Sequence, residues 1–376
     1  MPSCNRPLTP ISRFRDACER LILANFDLAS ENDIENRLWN VHLRINTLYR
    51  KSLSHVRSLL TRSPSSSLQL IVSSQFRKNG NDSVVEHRKV GKQYLTFIKA
   101  SQRFYRRLIL KLDSQFAGIP ELRKVAEKWQ DDSTDLPSHH QVSPELRHRV
   151  LLSCFHSLVR LGDLSRYRET ELVDKNKDRN WGPAKGYYGL AADIYPVSGM
   201  PHNQQAVIAR EDGNHFRATY HLYRSLASKE PHPSAKDNLE LEFKKILSAW
   251  QSGQLINNQS SDGNTTGRAL IAWFVRLHSK CYKGQEFAQH DELENEVLTQ
   301  LAVELKERSL DSILQKIIII NLAAEYFARF QLQGKSLIIA FWAQYLIAFR
   351  AHIPQQYREY LQVLLLLSEV EYKNLF

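Results

Sequence analysis

Two short groups of residues carry what chemistry this sequence offers, and both suit the binding of an oxyanion. In the first, Arg44 and Lys51 stand seven residues apart. On a helix that spacing projects them from nearly the same side, two turns apart. Arg50 adjoins them but points elsewhere. The second group is Leu161-Gly162-Asp163-Leu164-Ser165-Arg166-Tyr167-Arg168. Arg166 can grip an oxyanion with two prongs, and the Tyr167 hydroxyl adds a donor. Asp163, three residues before Arg166, can hold that guanidinium or a facing Arg44. Taken singly, each group also has a plain explanation: a solvated helix face for the first, an ordinary helix ion pair for the second. Asn203 follows Pro201 near a helix start. Its side chain can hold a peptide backbone on a groove, and a cap or inter-helix hydrogen bond explains it equally well.

No catalytic constellation accompanies these groups. Gly334-Lys335-Ser336 ends like a phosphate-binding loop, but position 329, where that motif needs Gly, is Arg, and no strand precedes it. Neither GxSxG nor HExxH occurs. The doublet His139-His140 lies in a polar loop without partnered acids. Asp291, Glu292, Glu294 and Glu296 suit the first turn of a helix, where they complement its dipole. Cys4, Cys18, Cys154 and Cys281 lie far apart with no ligand spacing, so neither a disulfide framework nor a metal site is expected, and a reducing, intracellular compartment is. The expectation is a protein that is no enzyme and uses no cofactor. The opening MPSCNRPLTPISRFRD lacks the apolar core of a signal peptide. The apolar run Ser336–Phe349, bounded by Lys335 and Arg350, is too short to span a bilayer and reads as a buried helix. No membrane contact is expected.

The elements that must position these residues are helices. Only 14 Gly and 13 Pro occur in 376 residues, a shortage of turn-makers that disfavours a many-stranded protein. Apolar periodicity predicts long helices over Asp33–Thr61, Val84–Phe116 and Pro144–Leu172. Between them lie a connector, Ser63–Asn81, and a polar loop, Asp131–His140, and the third is followed by a charged turn, Asp174–Asn180. Trp39, Tyr188 and Tyr223 fall at helical spacing and are expected in the core. From Trp181 the pattern shortens into paired helices. Ala184-x3-Tyr188-x2-Ala191-x4-Pro196 matches the second half of the tetratricopeptide pattern, with Leu161-Gly162 as the Leu-Gly pair of its first helix and a stretched turn between. A looser second unit runs through Gln205-Ala206, Ala218, Leu222 and Pro231. Further helices are expected over Ala235–Gly253, Gly267–Tyr282, Asp291–Arg308, Ser312–Gln333, Ser336–Ala351 and Gln355–Lys373, with a flexible loop over Gly253–Gly267. The fold class is an all-α array of antiparallel helices.

Charge divides the chain. The net charge is +11, from 51 Lys+Arg against 40 Asp+Glu, and all of the excess falls in residues 1–180, with 31 against 20. An anionic partner therefore belongs to the first half. Residues 51–100 alone carry nine basic and two acidic side chains, including Arg77, Lys78, Arg88, Lys89, Lys92 and Lys99, a surface able to track nucleic-acid phosphates.

Placed together, the two oxyanion groups resemble the phosphoserine-binding residues of 14-3-3 proteins. There one helix carries Lys-Asn-Val-Val-Gly-Ala-Arg-Arg and a later one Gly-Asp-x-x-Arg-Tyr. Here the runs are Arg44-Ile45-Asn46-Thr47-Leu48-Tyr49-Arg50-Lys51 and Gly162-Asp163-Leu164-Ser165-Arg166-Tyr167. The resemblance implies that Arg44, Lys51, Arg166 and Tyr167 surround one phosphate, with Asp163 and Asn203 in support. A resemblance to the SMG/ever-shorter-telomeres family covers almost the whole chain. It rests on Leu38-Trp39-Asn40, Leu161-Gly162-Asp163-x-x-Arg166-Tyr167-Arg168, Tyr188-x-x-Ala191, Pro196-x-x-Gly199-x-Pro201-x-Asn203-Gln204-x-Ala206 and Tyr223-Arg224-Ser225-Leu226-Ala227. It implies a 14-3-3-like/TPR-like domain over 1–233 and a C-terminal helical-hairpin extension over 234–376. It further implies a non-catalytic adaptor for phosphoserine or phosphothreonine peptides. The implied phosphoprotein is the up-frameshift RNA helicase of nonsense-mediated mRNA decay, with a paralogous family member as a further partner. The alternative is a telomerase-associated subunit that binds single-stranded DNA or telomerase RNA through residues 77–99. Either role places the protein in the cytoplasm, the nucleus or both.

Overall fold

A computed structural model describes residues 10–61, 73–129, 142–174, 177–257, 267–282, 289–307, 310–331, 348–355 and 357–359. The helices are α1 (Pro10–Ala24), α2 (Phe26–Glu31), α3 (Ile34–Thr61), α4 (Ser73–Gln115), α5 (Pro120–Ala126), α6 (Pro144–Leu172), α7 (Gly182–Ile194), α8 (Met200–Glu211), α9 (His215–Ala227), α10 (Ala235–Gln251), α11 (Gln254–Asn257), α12 (Arg268–Cys281), α13 (His290–Glu307) and α14 (Asp311–Gln331). Among the described residues there is no strand, only an isolated bridge between Ser198 and Glu230. The all-α class is the one observed. No helix of the described residues is long and apolar enough to cross a membrane, and no group of three His, Cys, Asp or Glu among them could hold a metal ion. Cys18, Cys154 and Cys281 are buried free thiols.

α6 starts where its sequence says it must. The Ser143 hydroxyl accepts from the Leu146 amide at 3.2 Å, and Pro144 occupies the first turn, where its missing N–H costs nothing. α4 departs from expectation, running back to Ser73 and so taking in the Arg77–Asn81 part of the expected connector. A single Gly costs a helix about 1 kcal/mol, too little to stop a helix of 43 residues. The loop Asp131–His140 with its His doublet, the Gly334–Ser336 run, Cys4 and most of the two last expected helices lie outside the described residues.

The chain forms two compact units, Met1–Ile194 and Tyr195–Phe376. The sequence expectation put the division at 233/234 instead. α9 packs on both α8 and α10, and one apolar core runs from Ala206 through Leu239 to Ile353, so the chain has no break at 233. In the first unit α3 and α4 are antiparallel: Trp39 meets Tyr105 and Asn46 meets Tyr94. α6 and α7 are antiparallel as well, with Glu169 bonded near Asn180 and Asp163 bonded to Tyr188. α3 lies parallel to α6, pinned near its start by Arg160 to Glu35 at 3.1 Å and Asn36 at 2.7 Å and further along by Arg50 to Glu171 at 2.7 Å. In the second unit α8 and α9 pair through the Ser225 hydroxyl on the Gly199 carbonyl at 2.7 Å and His202 on His221 at 3.1 Å.

Candidate functional site

The cluster that carries charge chemistry is built on α6 and finished by its neighbours. Gly162 lets α7 approach closely: a Cβ at that position would lie 2.4 Å from Tyr188 Cε1. Tyr188 is fully buried, and its hydroxyl donates to Asp163 Oδ1 at 2.7 Å. The same carboxylate oxygen accepts from Arg166 Nη2 at 3.1 Å, and Arg166 Nε stands 3.4 Å from the Tyr188 hydroxyl. The Arg166 guanidinium also lies over the Tyr167 ring, 4.7 Å from its centroid. Burial opposes the charge on Arg166, but Tyr188, Asp163 and Tyr167 outweigh it and raise its pKa. The guanidinium therefore stays cationic while only 16% of its side chain is exposed.

α3 contributes Arg50. Its Nε donates to Glu171 Oε1 on α6, while half of its side chain remains exposed. Arg57, two turns on, donates to the Glu171 carbonyl. Behind Arg50, the Tyr94 hydroxyl of α4 donates to Asn46, and its ring stacks on Tyr49 at 5.0 Å. Burial pushes the Tyr167 phenol up, Asp163 adds to the rise, and Arg166 and Arg50 pull the other way. Burial and Glu171 likewise raise Tyr94, against Arg50 and Arg166. Arg50, Tyr94, Arg166 and Tyr167 thus share one electrostatic neighbourhood.

The positions expected from sequence divide accordingly. Asp163, Arg166 and Tyr167 are brought together. Arg44 and Lys51 are exposed on α3 and have no ion pair among the described residues. They sit roughly 100–120° around the helix from Arg50. Arg50, read from sequence as pointing elsewhere, is the α3 cation set beside Tyr167. Asn203 belongs to the second unit, where it is 3% exposed. Its Oδ1 accepts from Asn238 Nδ2 at 3.0 Å. Asn238 in turn accepts from Arg210 at 3.2 Å, and Arg210 pairs with Glu242 at 3.2 Å. The inter-helix hydrogen bond, one of its two sequence readings, is the geometry present. Tyr188 and Tyr223 are core residues, and Trp39 is partly buried. Sequence reasoning missed the second task of Tyr188, which orients the Asp163–Arg166 pair. Its signals in the sequence were the tetratricopeptide offset from Ala184 and the Tyr188-x-x-Ala191 motif, and neither assigns it a hydrogen bond.

Two family models cover most of the chain. The one described as "Telomerase activating protein Est1" matches residues 33–172, and the one described as "Est1 DNA/RNA binding domain" matches residues 184–370. The chain belongs to the SMG/Est1 family. Among SMG/Est1 relatives, nonsense-mediated mRNA decay factor SMG7 of Arabidopsis thaliana is 29% identical over 254 residues, covering 68% of this chain and 23% of that protein. Telomere elongation protein est1 of Schizosaccharomyces pombe is 31% identical over 175 residues, covering 44% of this chain and 35% of that one. The chain thus spans well under half the length of these relatives. A chain from the structure of the C. elegans SMG5–SMG7 complex superposes with a TM-score of 0.52 at 13% identity, over 91% of this chain and 70% of that one. A chain from the crystal structure of Est1 and Cdc13 gives 0.55 at 11% identity, over 92% and 71%. These two likenesses show that the SMG/Est1 helical fold is shared.

Proposed function

We propose that this chain is a non-catalytic adaptor whose first unit binds phosphoserine or phosphothreonine peptides. The observation that carries the reading is the charged Arg166, held by Asp163 and Tyr188 beside Tyr167 and the half-exposed Arg50. A phosphate carries about −1.5 to −2 charges and three strong acceptors, and two guanidinium groups with a phenol suit it. Arg44 and Lys51, exposed on the same helix as Arg50, add charge on the approach. The up-frameshift RNA helicase in phosphorylated form is the proposed ligand, in keeping with the SMG7 relatives. A paralogous protein partner is proposed beside it. The test is a titration with a phosphorylated Ser-Gln peptide and its unphosphorylated twin. Phosphate-dependent binding that Arg166→Gln weakens at least tenfold, and that Arg44→Glu/Lys51→Glu weakens without a change in melting temperature, is expected. Equal affinity for the two peptides would sink the reading.

A second reading, nucleic-acid binding in a telomerase-associated role, has one structural support in the first unit. Lys92, Lys99 and Arg103 are exposed on α4 at helical spacing and have no ion pair among the described residues. The side chains of Arg77 and Lys78 lie outside the described residues. Single-stranded RNA affinity that falls steeply with salt, by a slope of about 0.7 per phosphate contact, and that Lys99→Glu/Arg103→Glu flattens, would favour this reading over the first.

A further inference from the structure

The first unit opens a groove of about 860 Å3 between α1, α3 and α4. Its floor is apolar, formed by Ile11, Ile45, Tyr49 and Phe97, and its charged lining has one sign only: Arg15, Lys89 and Lys92. No carboxylate stands among its described lining residues. Arg15 is the unusual member. It is 6% exposed, and its partners are neutral: Nε donates to His42 Nε2 at 3.0 Å and Nη2 to Ser101 Oγ at 2.6 Å. His42 is kept neutral, its pKa pushed down to about 3 by burial and by Arg15 itself. The adjacent carboxylate, Asp16, is turned to Arg107 at 3.4 Å. Burial lowers Arg15 to about 10, so it remains a cation, stacked 5.5 Å over Phe97. Asp16 offsets part of that burial through space, but a buried cation whose direct hydrogen-bond partners are all neutral is costly, and a carboxylate entering along the groove would give it a charged one.

The rim adds a second requirement. Three of the exposed large apolar side chains continue its three walls: Phe14 (39% exposed), one turn from Ile11; Leu48 (64%), one turn from Ile45; and Val85 (60%), one turn from Lys89. Exposed apolar side chains one turn from the lining of a groove point to a binding site. The α4 wall runs from Lys89 to Ala100, a rise of about 16 Å, the length of a three-turn helix.

We infer that this groove binds an amphipathic helical segment of a partner protein, its apolar face on Ile45, Tyr49 and Leu48 and its acidic residues on Arg15, Lys89 and Lys92. This is the helix-in-groove mode of recognition with charge complementarity added. A second copy of this chain docking through the same groove is the poorer occupant, because it would set Lys89 and Lys92 against their own kind.

The test is selection of a random 16-residue peptide display library on the full chain, followed by fluorescence anisotropy with the recovered peptides. Recovered sequences should pair Leu or Phe at i, i+3 and i+4 with flanking Asp or Glu. Their affinity should fall tenfold or more in Lys89→Glu/Lys92→Glu and in Leu48→Asp, both surface changes that leave the melting temperature unmoved. Arg15→Gln should weaken them too, and Glu→Gln peptides should bind poorly to the unmodified chain. Recovery of no peptide, of peptides without acids, or of binders indifferent to Lys89→Glu/Lys92→Glu overturns the inference. So does light scattering that shows a dimer of this chain which Leu48→Asp converts to monomer.

Discussion

Replacing Gly162 by Ala should damage both the stability of the first unit and its Asp163–Arg166 cluster, and the size of the damage can be worked from contacts. The new Cβ would lie 2.4, 2.6 and 2.8 Å from three ring atoms of Tyr188. That ring is fully buried, so it cannot swing aside into solvent. Overpacking of this kind costs about 1–3 kcal/mol. Displacing the ring also breaks the Tyr188 hydroxyl bond to the Asp163 carboxylate, worth about 1.5–3 kcal/mol for a charged acceptor. Against this, Ala gains about 1 kcal/mol of helix propensity over Gly. The net expectation is about 2–4 kcal/mol of destabilisation, or roughly 5–15 °C in melting temperature for a unit of this size. Circular dichroism melts of Gly162→Ala beside Gly186→Ala provide the assay, since a Cβ at Gly186 meets nothing within 4 Å. Phosphopeptide affinity measured on the Gly162→Ala protein below its transition should also fall, because Arg166 loses its brace. A Gly162→Ala melt equal to wild type, or no lower than that of Gly186→Ala, would refute the reasoning.

Other outcomes follow from the same geometry. Tyr188→Phe keeps the ring and removes the hydroxyl, so it should cost about 1–2 kcal/mol in denaturant unfolding and weaken phosphopeptide binding at unchanged helical content. Asn203→Ala should lower stability by about 1–3 kcal/mol through the Asn238–Arg210–Glu242 chain while leaving phosphopeptide affinity as it was; a loss of affinity without a loss of stability would give Asn203 a ligand role instead. Burial holds His278 neutral with a pKa pushed down to about 3, against a weaker upward pull from Asn321. The unfolded chain protonates near 6.5, so it binds more protons than the native state below that pH. Stability should therefore fall as pH drops from 6.5 towards 3, by about 1.4 kcal/mol per pH unit for this residue. His278→Gln should flatten the slope by that amount in urea titrations at pH 6 and pH 4.

The sequence made the helices legible where local chemistry and apolar period agreed. α6 begins at Pro144 and ends at Leu172 as expected, because Ser143 and Pro144 form a cap and the segment carries its own periodic pattern. The start of α4 was not legible, since Gly80 and the polar residues around it look like a break, and only tertiary packing of the rest of that helix decides otherwise. In the candidate site, Asp163, Arg166 and Tyr167 were readable as an i, i+3, i+4 set on one helix. The α3 partner was not. A helical wheel ranks Arg44 and Lys51 together, but which side of α3 meets α6 is fixed by Glu35 with Arg160 and by Arg50 with Glu171, contacts that span more than a hundred positions. Arg15 was equally out of reach, since its bond to Ser101 joins α1 to α4 across 86 residues.

Tyr188 also sets an order of events. Every charged member of the cluster has been translated by Glu171, yet the phenol that fixes Asp163 and Arg166 lies on α7, which begins at Gly182. A nascent chain or a proteolytic fragment ending at Asn180 would hold the full set of charges without their alignment. Alignment of the Asp163–Arg166 pair therefore waits on the docking of one helix that contributes no charge to it.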